Sequence, residues 1–573
     1  MCHRLSKDYS KNSYLGLYMG LERLEAIVIN SDLEVTFRAV VRYDVDLPEY
    51  RTTSGISQDA ATNEFMANPV MYIKALDILF NCLESQGAEL HRVAAIGGAA
   101  HHYGAVFWTD LGFRRLCGLN PMFRLHEQFT DDTFEMVSSP SWVDRASIPQ
   151  CYDMEDDVGG VAAMVRITGA KCFGRLTGPL IRRVYEESPE QYERTVRISL
   201  MSSFLASLLV GNIGSIEFSD GSSMNLLDLN EKAWSEECLE ACAPNLKQRL
   251  MQPIASNRLQ GRIADYFVSR WNFRPDCMIV STTGSSASMV AGLNLEENVL
   301  VLFLSQADKM LIHCKQRPQL EDASIICHPA NIDEYIGLIL IRNGCLVREA
   351  VCREIANGKW RLFNEMLAST PKGNAGNIEV RLDKMECTPE ARGRLRWNSE
   401  INEMSDQALR GLENFEDLKY NARAVIEGQI MHRRVLATDA GIKLESITKI
   451  IALGRCTRNQ HVLQIVADVF NTPVYIQEGP SPTLLGAAFR ARYAFYEYRE
   501  ANCNCSRCNA CWGSQPKLSY AEFFKHLPEK LKLIAEPSPD VEAIYGPLTD
   551  RIRSMLRMLA ARTSINEKLI KYK

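Results

Sequence analysis

Two halves of this chain of 573 residues share a similar grammar of strand hairpins and strand–loop–helix turns. In the first half, YLGLYMG, LEAIVIN and EVTFRAVVRYDV, between Tyr14 and Asp46, read as strands, with Asn30, Ser31 and Asp32 as turn residues. Pro69 opens the helical pattern PVMYIKALDILFNCLES, in which Val70, Ile73, Leu76, Ile78 and Leu79 form an apolar face. VAAIGGAA, from Val93, is the next strand. The second half starts near Cys277: the strand CMIVSTTG, a helix opened by SASMVAGL, and a hairpin of NVLVLFLS and KMLIHC. After an irregular stretch come the strand and loop KIIALGRCTRNQ, the helix HVLQIVADVF, the strand TPVYIQ and the helix PTLLGAAFRARYAFYEY. Strands interleaved with helices predict an α/β fold, and two such halves predict two nucleotide-binding-type domains around a cleft.

Composition narrows the function classes. The 65 Lys and Arg against 70 Asp and Glu give a net charge of −5, without the basic excess that a nucleic-acid partner requires. A hydrophobic share of 46% with 24% charged residues is that of a folded globular chain. The most apolar run, Ile198 to Val210, is shorter than the ~20 residues that span a bilayer and reads as a buried core helix, so no membrane role is expected. The start, MCHRLSKDYSKNSY, is polar and lacks the apolar core of a secretory signal. The 18 cysteines are mostly scattered singly, as at Cys82, Cys117, Cys172 and Cys352, which predicts reduced thiols in a cytoplasmic protein.

From Lys449 to Ala491, Gly454, Asn459, Gln464, Ala467-Asp468, Pro473-Val474 and Gly486-Ala487-Ala488 follow the order of a nucleotide signature. In this the chain resembles the FGGY carbohydrate kinases, and the resemblance runs from about Tyr14 to Ala491. DLPEY at Asp46, SSFLASLLVG at Ser202, FSDGSSMNLL at Phe218 and CAPNL at Cys242 are similar to runs of the animal xylulose kinases. The resemblance implies two actin-like, ribonuclease H-like ATPase domains flanking a cleft. It divides the chain into a polar tail (1–13), a sugar-binding domain (14–281), a nucleotide-binding domain (282–500) and a Cys-rich insert with a helical tail (501–573). It also implies Mg-ATP as cofactor, D-xylulose as substrate, and transfer of the γ-phosphate to the sugar 5-hydroxyl. That chemistry is mostly positioning and charge neutralisation, with one carboxylate accepting the hydroxyl proton.

Several positions depart from what the resemblance implies. Where the family has a metal-linked Asp followed by Ser-Thr in the first hairpin turn, this chain has Tyr18, Gly20 and Leu21. The position of the family's proton-accepting Asp is Ser285, followed by Ser286, and a serine hydroxyl is no useful base near neutral pH. No His or Asp stands beside these serines in sequence, so a serine nucleophile is not expected. The phosphate-contacting Gly-Thr-Ser-Asp-Thr run appears as Ser305-Gln306-Ala307-Asp308-Lys309. That change adds bulk, and Lys309 reads as a solvent-facing hairpin residue. In the adenosine loop Arg455 replaces a glycine after Gly454, so that its side chain can fill the purine slot, while Asn459 and the ATP-side Trp360 are kept. On the sugar side Tyr103 takes the place of a histidine, and Arg175, Asp144 and the Ser219-Asp220-Gly221 turn survive. His101 and His102 do not form a metal pair, because adjacent strand residues face opposite ways.

Cys503, Cys505, Cys508 and Cys511 fall within nine residues of the tail. They read as a reduced surface loop, with zinc as the alternative, although the usual spacing of two knuckles is absent. The segment Val541 to Lys573 is amphipathic and reads as a packed or solvated helix. The expected function is a xylulose kinase-like protein with phosphoryl transfer lost or weakened. The alternatives are an active D-xylulose kinase using Asp308 or Lys309 as substitute groups, and a structural or regulatory protein with a protein partner.

Overall fold

The computed structural model describes residues 11–58, 65–136, 139–140, 147–318, 322–401, 409, 415–501, 518–526 and 531–571. The chain divides into two units, the first made of residues 1–295, 325–336 and 480–527 and the second of 296–324, 337–479 and 528–573.

The sheet of the first unit is built on the opening hairpins. Its strands run in the order Leu259–Arg262, Met278–Val280, Val93–Ala100, Ser13–Met19, Arg23–Ile29, Val35–Arg42. Ser13–Met19 is antiparallel to its hairpin partner and parallel to Val93–Ala100. Alternation along that strand sorts its side chains. Leu15, Leu17 and Met19 enter one core with Met71, Ile73, Leu76 and Leu79 of the helix Pro69–Ser85, and Tyr14 enters another with Leu484 and Ala488. Asn68 caps the Pro69–Ser85 helix by accepting from the Val70 amide at 2.8 Å.

The helices Ser285–Leu293 and Pro482–Ala501 cross so closely that a Cβ on Gly486 would stand 1.8 Å from the Ser288 carbonyl, and one on Gly292 1.9 Å from that of Pro482. This crossing is why the two helices belong to the first unit. The linear boundaries at 281/282 and 500/501 therefore do not coincide with the division of the fold.

The second unit has a similar sheet, in the order Tyr335–Ile341, Asp308–Cys314, Val299–Leu304, Lys449–Gly454, Val474–Gln477, Leu531–Ala535, with its last two strands in chain order where the matching pair of the first unit, Met278–Val280 and Leu259–Arg262, is reversed. Its core gathers this sheet around the helix Leu418–Asp439. The C-terminal residues are an integral part of it rather than a tail: Leu531–Ala535 pairs with Val474–Gln477, and Tyr545, Ile552, Met555 and Leu559 of the helix Val541–Lys571 are buried in the same core.

One expected helix is shorter than the apolar run suggests. Arg197–Leu200 is a strand antiparallel to Ala105–Trp108, and the helix begins at Met201 and ends at Val210. A strand partner some 90 residues away is a tertiary effect that local periodicity cannot register. Among the described residues no helix is long and apolar enough to cross a membrane.

Candidate active site

In the first unit, Tyr18 lies opposite Glu25 in the hairpin ladder, and the turn that follows is closed by the Gly20 amide donating to the Arg23 carbonyl at 2.9 Å. Burial, and then the Glu25 carboxylate, push the Tyr18 phenol up to about 12. Glu25 is itself buried and receives Arg23 Nε at 2.8 Å and Arg38 Nη2 at 3.0 Å. Leu21 completes a turn whose only side-chain hydroxyl between residues 18 and 21 is the Tyr18 phenol.

The loop at the expected base position is assembled from three distant segments. The short strand Thr283–Gly284 pairs with Ala99–Ala100 and leads into the helix Ser285–Leu293, with Ser285 8% exposed and Ser286 fully buried. His102, 184 residues away, accepts the Ser286 amide on Nε2 at 2.9 Å. A backbone amide can only donate, so the proton of the neutral ring is on Nδ1, which faces Asp220 Oδ1 at 3.4 Å. A Cβ on Gly284 would stand 2.2 Å from His102 Cε1 and 2.7 Å from Asp220 Oδ1, so only glycine fits beneath the ring.

Asp220 Oδ2 accepts from the Ser202 hydroxyl. Behind it, Glu217 receives the amides of Ser219 at 2.8 Å and Asp220 at 2.7 Å, the Thr283 hydroxyl at 2.5 Å and the Ser256 hydroxyl. Burial pushes the Glu217 carboxyl up, with Arg490 pulling against it and Asp220 adding to it.

The sequence placed no His or Asp beside these serines, whereas the fold places both. The arrangement still does not make Ser286 a nucleophile, because the lone pair of His102 points at an amide and the Ser286 hydroxyl is enclosed. His101 turns the other way, with Nε2 3.2 Å from the Tyr72 hydroxyl, and burial lowers it to about 4.

On the expected sugar side, Tyr103 has φ +70°, a conformation that costs an aromatic residue about 1–3 kcal/mol. Its carbonyl accepts the Thr177 hydroxyl at 3.3 Å, which ties the Tyr103 segment to the one carrying Arg175. Arg175 is half-buried, its guanidinium 5.9 Å from the Phe173 ring centre. Asp144 lies outside the described residues, as do Cys503, Cys505, Cys508 and Cys511.

In the second unit the expected phosphate turn, Ser305-Gln306-Ala307-Asp308-Lys309, closes on a buried carboxylate. Asp308 Oδ1 accepts the Ser305 amide at 3.0 Å and Arg348 Nη2 at 3.1 Å. Oδ2 accepts Arg348 Nη1 at 3.1 Å and Arg433 Nη2 at 2.7 Å. With both oxygens bound to guanidiniums, Asp308 is no substitute base. Lys309 is half-buried and pairs with Phe303 in the ladder, a correction to its expected solvent-facing place. Arg348 and Arg433 were not singled out from sequence, because they lie 40 and 125 residues from their partner.

One hydrogen bond joins the adenosine loop to the helix that Trp360 begins. Gly454 ends its strand opposite Leu304, and Arg455, exposed, opens the turn Arg455–Arg458. Asn459 caps the helix Gln460–Phe470, and its Nδ2 reaches Asn364 Oδ1 at 2.8 Å, joining the loop to the helix Trp360–Ala368. Trp360, at the start of that helix, is 37% exposed.

Comparison with known proteins agrees with this geometry. Residues 130–292 match the model of the N-terminal domain of the FGGY family of carbohydrate kinases, and residues 339–495 that of its C-terminal domain. The chain is similar to the xylulose kinase of Mus musculus, 32% identical over 551 residues and covering 96% of this chain and 95% of the mouse protein. It is 31% identical to xylulose kinase 2 of Arabidopsis thaliana over 490 residues, covering 84% and 87% of the two chains. Among solved structures, the ligand-bound xylulose kinase of Lactobacillus acidophilus superimposes with a TM-score of 0.75 at 15% identity, covering 96% of this chain and 99% of that one.

Proposed function

The chain belongs to the FGGY family of carbohydrate kinases, with the actin-like ATPase fold in both units, and we propose that it is a xylulose kinase-like member in which phosphoryl transfer is lost or severely weakened. The observation that carries this reading is Ser285 at the position of the family's proton acceptor, with the nearby imidazole of His102 already holding the Ser286 amide. General-base assistance contributes about 10²- to 10⁴-fold, so its loss alone cripples turnover.

The residues also do not fit a magnesium ion at the two phosphate turns. Tyr18 stands where the family has a carboxylate, the carboxylate within the first turn is that of Glu22, and Glu25 and Asp308 are each taken by two arginines. On the sugar side Arg175 and Tyr103 remain as hydrogen-bonding groups for a polyol such as D-xylulose. A cytoplasmic setting accords with the cysteines of the described residues, which are free thiols.

Calorimetric titration with D-xylulose and separately with Mg-ATP, beside a coupled ADP-release assay, tests the proposal. The expected result is sugar-dependent ADP release that is absent or at least about a hundredfold slower than that of the mouse xylulose kinase assayed beside it. Metal-dependent turnover on D-xylulose at a comparable rate would overturn the proposal.

A further inference from the structure

In the first unit, Lys232 Nζ lies 3.4 Å from the Cys327 thiol sulfur. Three features hold this pair together. The Lys232 ammonium sits 4.3 Å from the centre of the Tyr335 ring, a cation over an aromatic face. Lys232 has φ +53°, at the end of a hairpin turn whose Asp228 carboxylate accepts the amides of Asn230 and Glu231 at 2.7 and 3.2 Å. The Cys327 amide donates to the Ser222 hydroxyl at 3.1 Å. Cys327 is 1% exposed, yet it lines a cavity of about 10 Å³ together with Phe218, Ser256 and His328. That is at the lower limit of room for one water molecule, so hydrogen peroxide reaches the thiol only when the lining side chains shift.

We propose that Lys232 and Cys327 are an oxidation site at which peroxide joins the two side chains through a reversible sulfur–nitrogen bond. The thiolate attacks the peroxide O–O bond, giving a sulfenic acid and hydroxide. The hydroxide takes a proton from the Lys232 ammonium, and the free amine attacks the sulfenic sulfur. The S–O bond breaks, the S–N bond forms, and water leaves. In total one thiolate, one ammonium and one hydrogen peroxide give the sulfenamide and two waters, the sulfur being oxidised and the peroxide reduced. Burial holds the Cys327 thiol above its ordinary value and the Lys232 ammonium limits that rise, so the thiolate forms only as a minor species beside the ammonium. The bond would fix the 227–234 hairpin to the strand Ser324–Cys327, beside the turn that carries Asp220.

The test treats the full chain with dilute hydrogen peroxide, blocks the remaining thiols and digests without reductant. A peptide carrying Lys232 joined to one carrying Cys327, lighter than their sum by two hydrogens and separated by dithiothreitol, is the expected result. Lys232→Arg keeps a cation over Tyr335 but has no amine nucleophile. In that variant the cross-link disappears, and Cys327 is instead captured by dimedone as a sulfenic acid, with an unchanged thermal midpoint reporting that the fold is kept. An unmodified Cys327 after treatment that oxidises other thiols would overturn the proposal. So would equal dimedone capture in the two proteins with no cross-link in either. The wild-type peptide map decides the matter even where the variant folds poorly.

Discussion

Arg433 approaches Asp308 from 125 residues away in sequence and places Nη2 2.7 Å from its Oδ2, both side chains fully enclosed. Arg348 takes the remaining face of the same carboxylate, and Glu386, which receives the amides of Arg342, Asn343 and Cys387, brings a second negative charge near Arg433. The turn at Ser305 is thus fixed by buried charge.

Removing the carboxylate leaves two buried guanidiniums facing each other. Asp308→Asn is expected to lower unfolding stability by about 3–5 kcal/mol, read from the urea midpoint of the full chain. An effect under about 1 kcal/mol would mean that water reaches the cluster.

Gly284 lies beneath His102, and its φ of −67° suits any residue, so the constraint is steric alone. Gly284→Ala is expected to cost about 1–3 kcal/mol, and less when made together with His102→Ala, because the closer clash, with the ring, is then gone and only that with Asp220 Oδ1 at 2.7 Å remains. A double-mutant cycle on thermal or urea stability reads the coupling. Additive effects would place the strain elsewhere.

His101 carries a pH signature. Burial holds its folded value at about 4 against an ordinary 6.5, so between these values the unfolded chain binds more protons than the folded one. Stability from this group is complete above pH 6.5 and is lost as pH falls towards 4, by up to about 3 kcal/mol. His101→Gln should flatten that part of the stability–pH curve, and an unchanged slope would assign the acid sensitivity to other groups.

Restoring the two missing carboxylates tests the chemistry. Ser285→Asp with Tyr18→Asp is expected to raise D-xylulose- and magnesium-dependent ADP release about 10²- to 10⁴-fold above the wild-type chain, the range that a general base supplies. Ser285→Asp alone should give less, since the metal position stays a phenol. No gain in the double variant, with the fold intact by circular dichroism, would mean that other substitutions block the site.

Much of the scaffold was legible before any coordinates. The strands from Tyr14 to Arg42, the helix from Pro69 and the signature from Lys449 to Ala491 announce themselves through alternation, caps and turn residues, all of which act over a few residues, whereas Tyr43–Asp46, expected to end the third strand, forms a helical turn. The helix before Val210 was only partly legible, since its first residues answer to a strand partner at Ala105–Trp108.

By itself the sequence determined the α/β class, the kinase-like framework, and the chemical identity of the changed positions: a phenol at 18, hydroxyls at 285 and 286, a guanidinium at 455; the segments from Cys277 and Pro482, which read as parts of the second half, belong to the first unit. Tertiary structure alone decided what the remaining charged groups do. Asp308 read as a spare carboxylate until Arg348 and Arg433 closed on it, and His102 read as an unremarkable strand residue until its ring met the Ser286 amide. The physical reason is one of range. Backbone propensity and side-chain periodicity are set by near neighbours in the chain, whereas whether a carboxylate or an imidazole is available depends on desolvation and on donors brought from anywhere in the fold.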